Sequence, residues 1–173
     1  MRAIILITLL FALSTPSIPV FGNLQTTENV ARPEGYVGDF AKVINEEAES
    51  LLETKLKQLR ERASIEFVVV TLETTGGEDI FSYSLNAARR WKLAGGKGDK
   101  GGILLMLAMK DRKWRVQITD SLKEDLPAAL LAKQGEKMNL PLSQGDPGAA
   151  VNLFVDGVVA HLAERRGFKN TPN

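Results

Sequence analysis

The apolar run Ile103-Leu104-Leu105-Met106-Leu107-Ala108 follows the glycine pair Gly101-Gly102 and, with Met109 between, precedes the charged run Lys110-Asp111-Arg112-Lys113. The run is too short to cross a bilayer. Glycines and charges on its flanks mark it as a strand covered on both faces. The next stretch alternates, with Trp114, Val116 and Ile118 on one side and Arg115, Gln117 and Thr119 on the other. That is the pattern of a half-buried strand, and the polar residues between the two runs predict a hairpin. A strand apolar on both sides needs a layer above and a layer below, which restricts the chain to architectures with helices on two faces of a sheet.

The glycine-rich loop before the buried strand invites a nucleotide reading. Gly96-Lys97-Gly98-Asp99-Lys100-Gly101 matches GxGxxG. The chemistry behind that pattern needs a strand before the loop and a helix after it, so that the helix N-terminus meets the pyrophosphate. Here a helical pattern precedes and a strand follows, and no Gly-Lys-Ser/Thr triplet is present, so no nucleotide cofactor is expected. The loop reads as a turn into the sheet.

Composition excludes several function classes. The 173 residues suit one domain large enough to fold without staples. Basic residues number 22 and acidic residues 21, which gives no argument for nucleic acid or for an anionic membrane. Without cysteine, disulfides, thiol nucleophiles and cysteine zinc sites are excluded, and a lone histidine, His161, cannot form a histidine metal cluster.

The N-terminus reads as a secretory signal over residues 1–22: Arg2, an apolar core from Ala3 to Leu13 broken only by Thr8, then Ser14, Pro16, Ser17, Pro19 and Gly22. Cleavage near Gly22, after Ser14 or after Ser17 all fit, as does an uncleaved anchor. Removing residues 1–22 takes away one base and leaves the charges balanced. The rest of the chain contains no membrane-spanning stretch, which predicts a periplasmic or secreted protein.

Residues 23–35 read as a flexible leader and 167–173 as a loose tail, with the folded domain between them at 36–166. Tyr36 to Ile44 is a strap whose apolar residues tuck onto the sheet. Asn45 caps a helix with Ala48, Leu51, Leu52, Leu56, Leu59 and Ala63 at helical spacing. Glu66 to Leu72 is β-branched and reads as a buried strand. Asp79 caps a helix to about Leu93, which makes a strand–helix–strand crossover, expected parallel and right-handed. A helical region begins over Leu122 to Leu131, with its end obscured by Gly135, Pro141 and Gly145. Asp146-Pro147 starts the last helix, striped by Val151, Phe154, Val155, Val158 and Leu162 and ended by Gly167. The fold class is α/β: a three-layer α/β/α sandwich whose small mixed sheet contains a βαβ crossover and a β-hairpin, with helices on both faces.

Several of these segments together resemble the TPM domain family, found in a thylakoid lumen protein, a photosystem repair protein and a receptor modulator. The matching stretches are Val37-Gly38-Asp39-Phe40-Ala41, Gly98-Asp99-Lys100-Gly101-Gly102-Ile103-Leu104-Leu105, Asp111-Arg112-Lys113 with Arg115-Val116, and Gln144-Gly145-Asp146. The resemblance implies an extracytoplasmic α/β/α sandwich, often with calcium, and weak acid phosphatase activity in plant members. The chain departs from the family after the hairpin. Where the family carries Gly-x-Gly-Leu-Glu, this sequence has Thr119-Asp120-Ser121-Leu122-Lys123, and Ala128 stands where an aspartate usually follows Leu126-Pro127. Two glycines are gone and one acid has become a base.

A metal site here would use oxygen ligands and so would hold calcium or magnesium. The candidate ligands are Asp39 in the strap, Asp99 before the buried strand and Asp120 after its hairpin partner. Antiparallel pairing brings Asp99 and Asp120 to one sheet edge, where converging carboxylates favour a divalent cation. Each also reads as a solvated turn aspartate, and Asp111 reads as a hairpin-turn residue at the opposite end. Lys97 and Lys100 are candidate contacts for an anionic ligand. No catalytic residue is identifiable. Two functions follow: an accessory or binding module of the cell envelope acting on an unidentified envelope protein, or a divalent-metal-assisted, acid phosphatase-like hydrolase. The lost acids and the absence of a nucleophile–base arrangement favour the module.

Overall fold

The computed structural model describes residues 30–169, so the signal and most of the leader expected at the N-terminus lie outside the described residues. In chain order the elements are β1 (Val37–Asp39), α1 (Glu46–Ala63), β2 (Ile65–Leu72), α2 (Ile80–Arg90), β3 (Gly101–Ala108), β4 (Lys113–Ile118), a 3-10 turn (Asp120–Leu122), α3 (Ala128–Glu136), α4 (Asn139–Ser143) and α5 (Pro147–Arg166). The sheet order is β1-β2-β3-β4. β1 and β2 pair in parallel, as do β2 and β3, while β4 returns antiparallel to β3.

Every residue of β2 and of β3 is buried. Odd-numbered side chains of both strands, such as Phe67, Val69, Ile103 and Leu105, pack with Leu52, Leu56 and Leu59 of α1 and with Phe154, Val155 and Val158 of α5. Even-numbered ones, such as Val68, Val70, Leu104 and Met106, pack against Ile80, Tyr83 and Ala87 of α2. The three-layer mixed α/β arrangement expected from the doubly apolar strand is therefore present.

The helix starts expected from local chemistry are also present. Asn45, Asp79 and Asp146 accept hydrogen bonds from the amides of Ala48 (2.8 Å), Ser82 (3.1 Å) and Ala149 (2.8 Å), satisfying orphan donors of the first turn. Gly167 closes α5 at φ 68°, a left-handed position suited to glycine.

Two features differ from the sequence reading. The strap contains a strand, β1, which makes a second crossover through α1. Both crossovers step the same way across the sheet, yet α1 lies on one face and α2 on the other, so they have opposite hands and only one obeys the right-handed rule. The helical region after β4 is split into a 3-10 turn, α3 and α4, with an extended Pro127 at the start of α3. Proline disfavours helical backbone in the residue before it, which separates Leu126 from α3.

The close approach of α3 to β4 depends on Gly135, where a Cβ would lie 2.2 Å from the Trp114 ring. Trp114 is in turn set edge-on against Phe154, with centroids 6.0 Å apart. In an open helix Gly→Ala gains about 1 kcal/mol. At Gly135 overpacking, which costs about 1–3 kcal/mol, opposes that gain. Gly135→Ala should therefore lower the urea unfolding midpoint, whereas Gly157→Ala tests the same question at the facing contact between α5 and Gln134.

Candidate functional site

The parallel register defines two ends of the sheet. The C-terminal ends of β1, β2 and β3 share one edge, and their N-terminal ends share the other. The connection after β1 leaves toward α1 on one face, and the connection after β2 leaves toward α2 on the other face. In open α/β sheets such diverging connections open a crevice at the C-terminal edge, where ligands commonly bind.

Asp39 stands at that C-terminal edge, opposite Thr71 in the ladder. Its Oδ2 accepts from the Ile44 amide at 2.8 Å, and its Oδ1 accepts from the Thr71 hydroxyl. Thr71 Oγ1 also accepts from the Ala41 amide at 3.3 Å. Asp39 thereby ties the loop before α1 to the end of β2. Glu49, on the first turns of α1, lies close enough to feel it: burial pushes the Glu49 carboxyl up, and the charges of Asp39, Glu53 and Glu46 add to the shift. Glu53 is engaged as well, accepting from the amides of Tyr36 (2.8 Å) and Val37 (2.7 Å).

At the same edge the β3–β4 turn carries Asp111. Its carboxylate accepts from the Thr75 amide at 2.8 Å and the Thr74 hydroxyl at 2.7 Å. These bonds, the backbone one first, hold its pKa below the ordinary carboxylate value. Asp111 is thus more than a turn residue, because it locks the hairpin turn to the β2–α2 loop. Beyond it, on the α5 side, lies a cavity of about 580 Å³ between the hairpin turn and α4. Leu107, Trp114 and Leu142 supply its apolar walls, and Arg112, Lys113 and Asn139 its polar ones. That volume lies in the range of small-ligand sites. Neither Arg112 nor Lys113 forms an ion pair with a described residue. The sequence reading did not reach this cavity, because α4 spans Pro141 and gives no periodic signal.

The opposite edge holds Asp99 and Asp120, with Asp39 at the far end of the sheet, so the three candidate ligands do not converge. Asp99 forms an ion pair with Arg60 of α1 and accepts from the Gly96 amide at 2.8 Å. Its side chain is only 4% exposed, against 32% for Arg60. The Lys100 amide donates to Ser64 O at 2.8 Å, which fastens the loop to the end of α1. Asp120 is fully open to solvent and pairs with Lys123 at 2.8 Å, which holds its pKa down. Lys123 is the residue standing where the resemblance expects an acid. Lys97 and Lys100 are exposed on the glycine loop. Among the described residues no group of three or more His, Asp or Glu side chains is arranged to hold a metal ion.

His161 Nε2 lies 2.9 Å from the Asp125 carbonyl. The Asp125 carboxylate is held by Arg165 and Arg166, a packing arrangement between α5 and the segment before α3. Burial alone would raise its pKa, but the two guanidiniums outweigh that and lower it. A lowered folded pKa contributes stability that is present above the unfolded pKa near 4 and lost as pH falls through the folded value.

Two predictions follow from the geometry of the edges. Asp39→Asn removes a like charge from beside Glu49, so the Glu49 titration midpoint, read from its side-chain carbon shift by NMR, should fall. Asp125→Asn should flatten the loss of thermal stability below about pH 4 relative to the unaltered chain, as measured by melts across that range.

Similarity to other proteins agrees with this arrangement. The family model of the TPM domain matches residues 37–161. No curated protein matches the chain. Among solved structures, the N-terminal domain of a protein from P.gingivalis superposes with a TM-score of 0.70 at 24% identity, covering 80% of this chain and 88% of that one. The N-terminal domain of the cg2496 protein from Corynebacterium glutamicum gives 0.59 at 18% identity, covering 77% and 83%. The BA42 protein from the psychrophilic bacterium Bizionia argentinensis gives 0.60 at 16% identity, covering 75% and 91%. At these identities the structural likeness concerns the fold, whereas the sequence match spans most of the chain, and on that match the chain belongs to the TPM domain family.

Proposed function

We propose that this chain is an accessory or binding module of the cell envelope, periplasmic or secreted, acting by docking onto another envelope protein rather than by hydrolysis. One observation carries the reading: the acids that metal-assisted chemistry would use already have protein partners. Asp99 is neutralised by Arg60, Asp120 by Lys123, and Asp39 and Asp111 accept from Thr71, Thr74, Thr75 and backbone amides. The cavity beside Arg112 and Lys113 is open, and its cations are unpaired among the described residues. The extracytoplasmic placement rests on the apolar stretch Ala3–Leu13 and its flanks. Among the described residues no helix is long and apolar enough to cross a membrane.

A divalent cation, calcium or magnesium, enters this reading as a modulator. At Asp99 it would have to displace a guanidinium that is already in place. At Asp39 it would relieve the like-charge repulsion that adds to the effect of burial in raising Glu49. The alternative, a metal-assisted acid phosphatase, requires a metal at Asp99 or Asp120 and an activated nucleophile.

Asp99→Ala separates the two. Breaking a buried ion pair costs about 3–5 kcal/mol. With Arg60 a third exposed the loss should be smaller, about 2 kcal/mol. The loss should be the same in calcium, magnesium or chelator, because Arg60 and not a metal is the lost partner. The mature chain should show no metal-dependent hydrolysis of para-nitrophenyl phosphate. Metal-dependent turnover abolished by Asp99→Ala would replace the binding reading with the hydrolase.

A further inference from the structure

The sheet ends in an open edge at β4. Among the described residues β4 is bonded to β3 on one side only. The Thr119 amide donates to Gly102 O at 3.0 Å, and the register continues without a break to Ala108 opposite Lys113. In an antiparallel pair, bonded and non-bonded positions alternate. Gln117, Arg115 and Lys113 therefore spend their backbone groups on β3, while Trp114, Val116 and Ile118 turn theirs outward. Those outward N–H and C=O groups have no partner among the described residues. The edge is six residues long, contains no proline and carries no bulge. The other edge strand, β1, has three residues.

The open edge is also basic along its whole length. Arg112 and Lys113 stand at its start and Arg115 at its middle, over the Phe81 ring at 4.7 Å. Arg89 and Lys92 flank Gln117, Ile118 and Thr119 around a cleft of about 230 Å³ at its end. All five cations are exposed. None is in an ion pair with a described residue. The charge of Lys113 acts on Asp111, whose carboxylate is already held by Thr74 and Thr75. β4 itself contains no acid.

We propose that the free edge of β4 docks an extended acidic segment of a partner protein, which adds a fifth strand to the sheet. Outward backbone groups supply the ladder, and the flanking cations select the charge of the incoming strand. Charged edges commonly guard against strand pairing. Here one sign of charge guards selectively: two copies of this chain meeting through β4 bring two basic stripes together, whereas an acidic strand meets opposite charge. This names the partner chemistry of the binding module and rests on that reading.

The test uses residues 23–173 and a fluorescein-labelled peptide, Glu-Val-Glu-Val-Glu-Val, with a Lys-for-Glu version and a version carrying a central proline as controls. Anisotropy should show binding of the glutamate peptide alone. Binding should weaken as added salt shortens the Debye length from about 10 Å to about 3 Å. Amide NMR shifts should centre on Trp114, Val116 and Ile118. Val116→Pro removes an outward donor and leaves the bonds to β3 intact. It should weaken binding by roughly tenfold or more, as should the double reversal Lys113→Glu with Arg115→Glu, which keeps the test decisive if the proline variant fails to fold. Equal binding of the lysine peptide, shifts centred away from β4, or no binding at low salt would each overturn the edge proposal. If none of these peptides binds and no phosphomonoester is hydrolysed, the edge proposal falls and the binding-module reading stands. Metal-dependent hydrolysis overturns the reading beneath it.

Discussion

Burial of β2 and β3 on both faces is the constraint on which the rest of this structure depends. Stripping α2 from its face would expose Val68, Val70, Leu72, Leu104 and Met106 together. At about 1.5–3 kcal/mol for each large apolar side chain, that loss is about 7–15 kcal/mol. It equals the whole stability of a typical domain, about 5–15 kcal/mol. The opposite face is more heavily covered, by α1 and α5, with the Trp114–Phe154 contact extending the core under β4. Neither layer is optional, and the chain must cross from one side of the sheet to the other between β1 and β3.

That crossing shapes the functional surface. Because the loops after β1 and β2 leave toward opposite faces, the C-terminal edge is split, and the fold holds the split with short polar ties. Asp39 binds the loop before α1 to Thr71, and Asp111 binds the hairpin turn to Thr74 and Thr75. At the other edge Arg60 reaches from α1 to Asp99 and fixes the glycine loop. These carboxylates act as fasteners between segments, whereas Arg112, Lys113, Arg89 and Lys92 around β4 form no ion pair with a described residue.

Much of this was legible from local patterns. Asn45, Asp79 and Asp146 were readable as helix caps because capping needs only neighbours three residues away. The doubly apolar Ile103–Ala108 run was readable as a central strand because its composition tolerates no solvent-facing side. β1 was not legible as a strand: three residues centred on Gly38 have no periodicity, and only the Asp39–Thr71 register makes them one. α4 was hidden by Pro141, which sits at a helix start where proline is tolerated. The candidate ligands were legible as residue types. Their partners were not, since Arg60 lies 39 positions before Asp99 along the chain and meets it through the docking of α1.

The sequence by itself determined the class of fold, the helix starts and the hairpin, because those follow from hydrophobic period and from contacts within a few residues. Membership of the TPM domain family likewise rests on residues 37–161 as a sequence. Only the tertiary structure decided that Asp39 and Asp99 lie at opposite ends of the sheet, that Arg60 and Lys123 neutralise Asp99 and Asp120, and that β4 presents a basic edge with no strand partner beyond β3 among the described residues. Those outcomes depend on which helix packs over which strand, and packing joins residues whose separation along the chain carries no local signal.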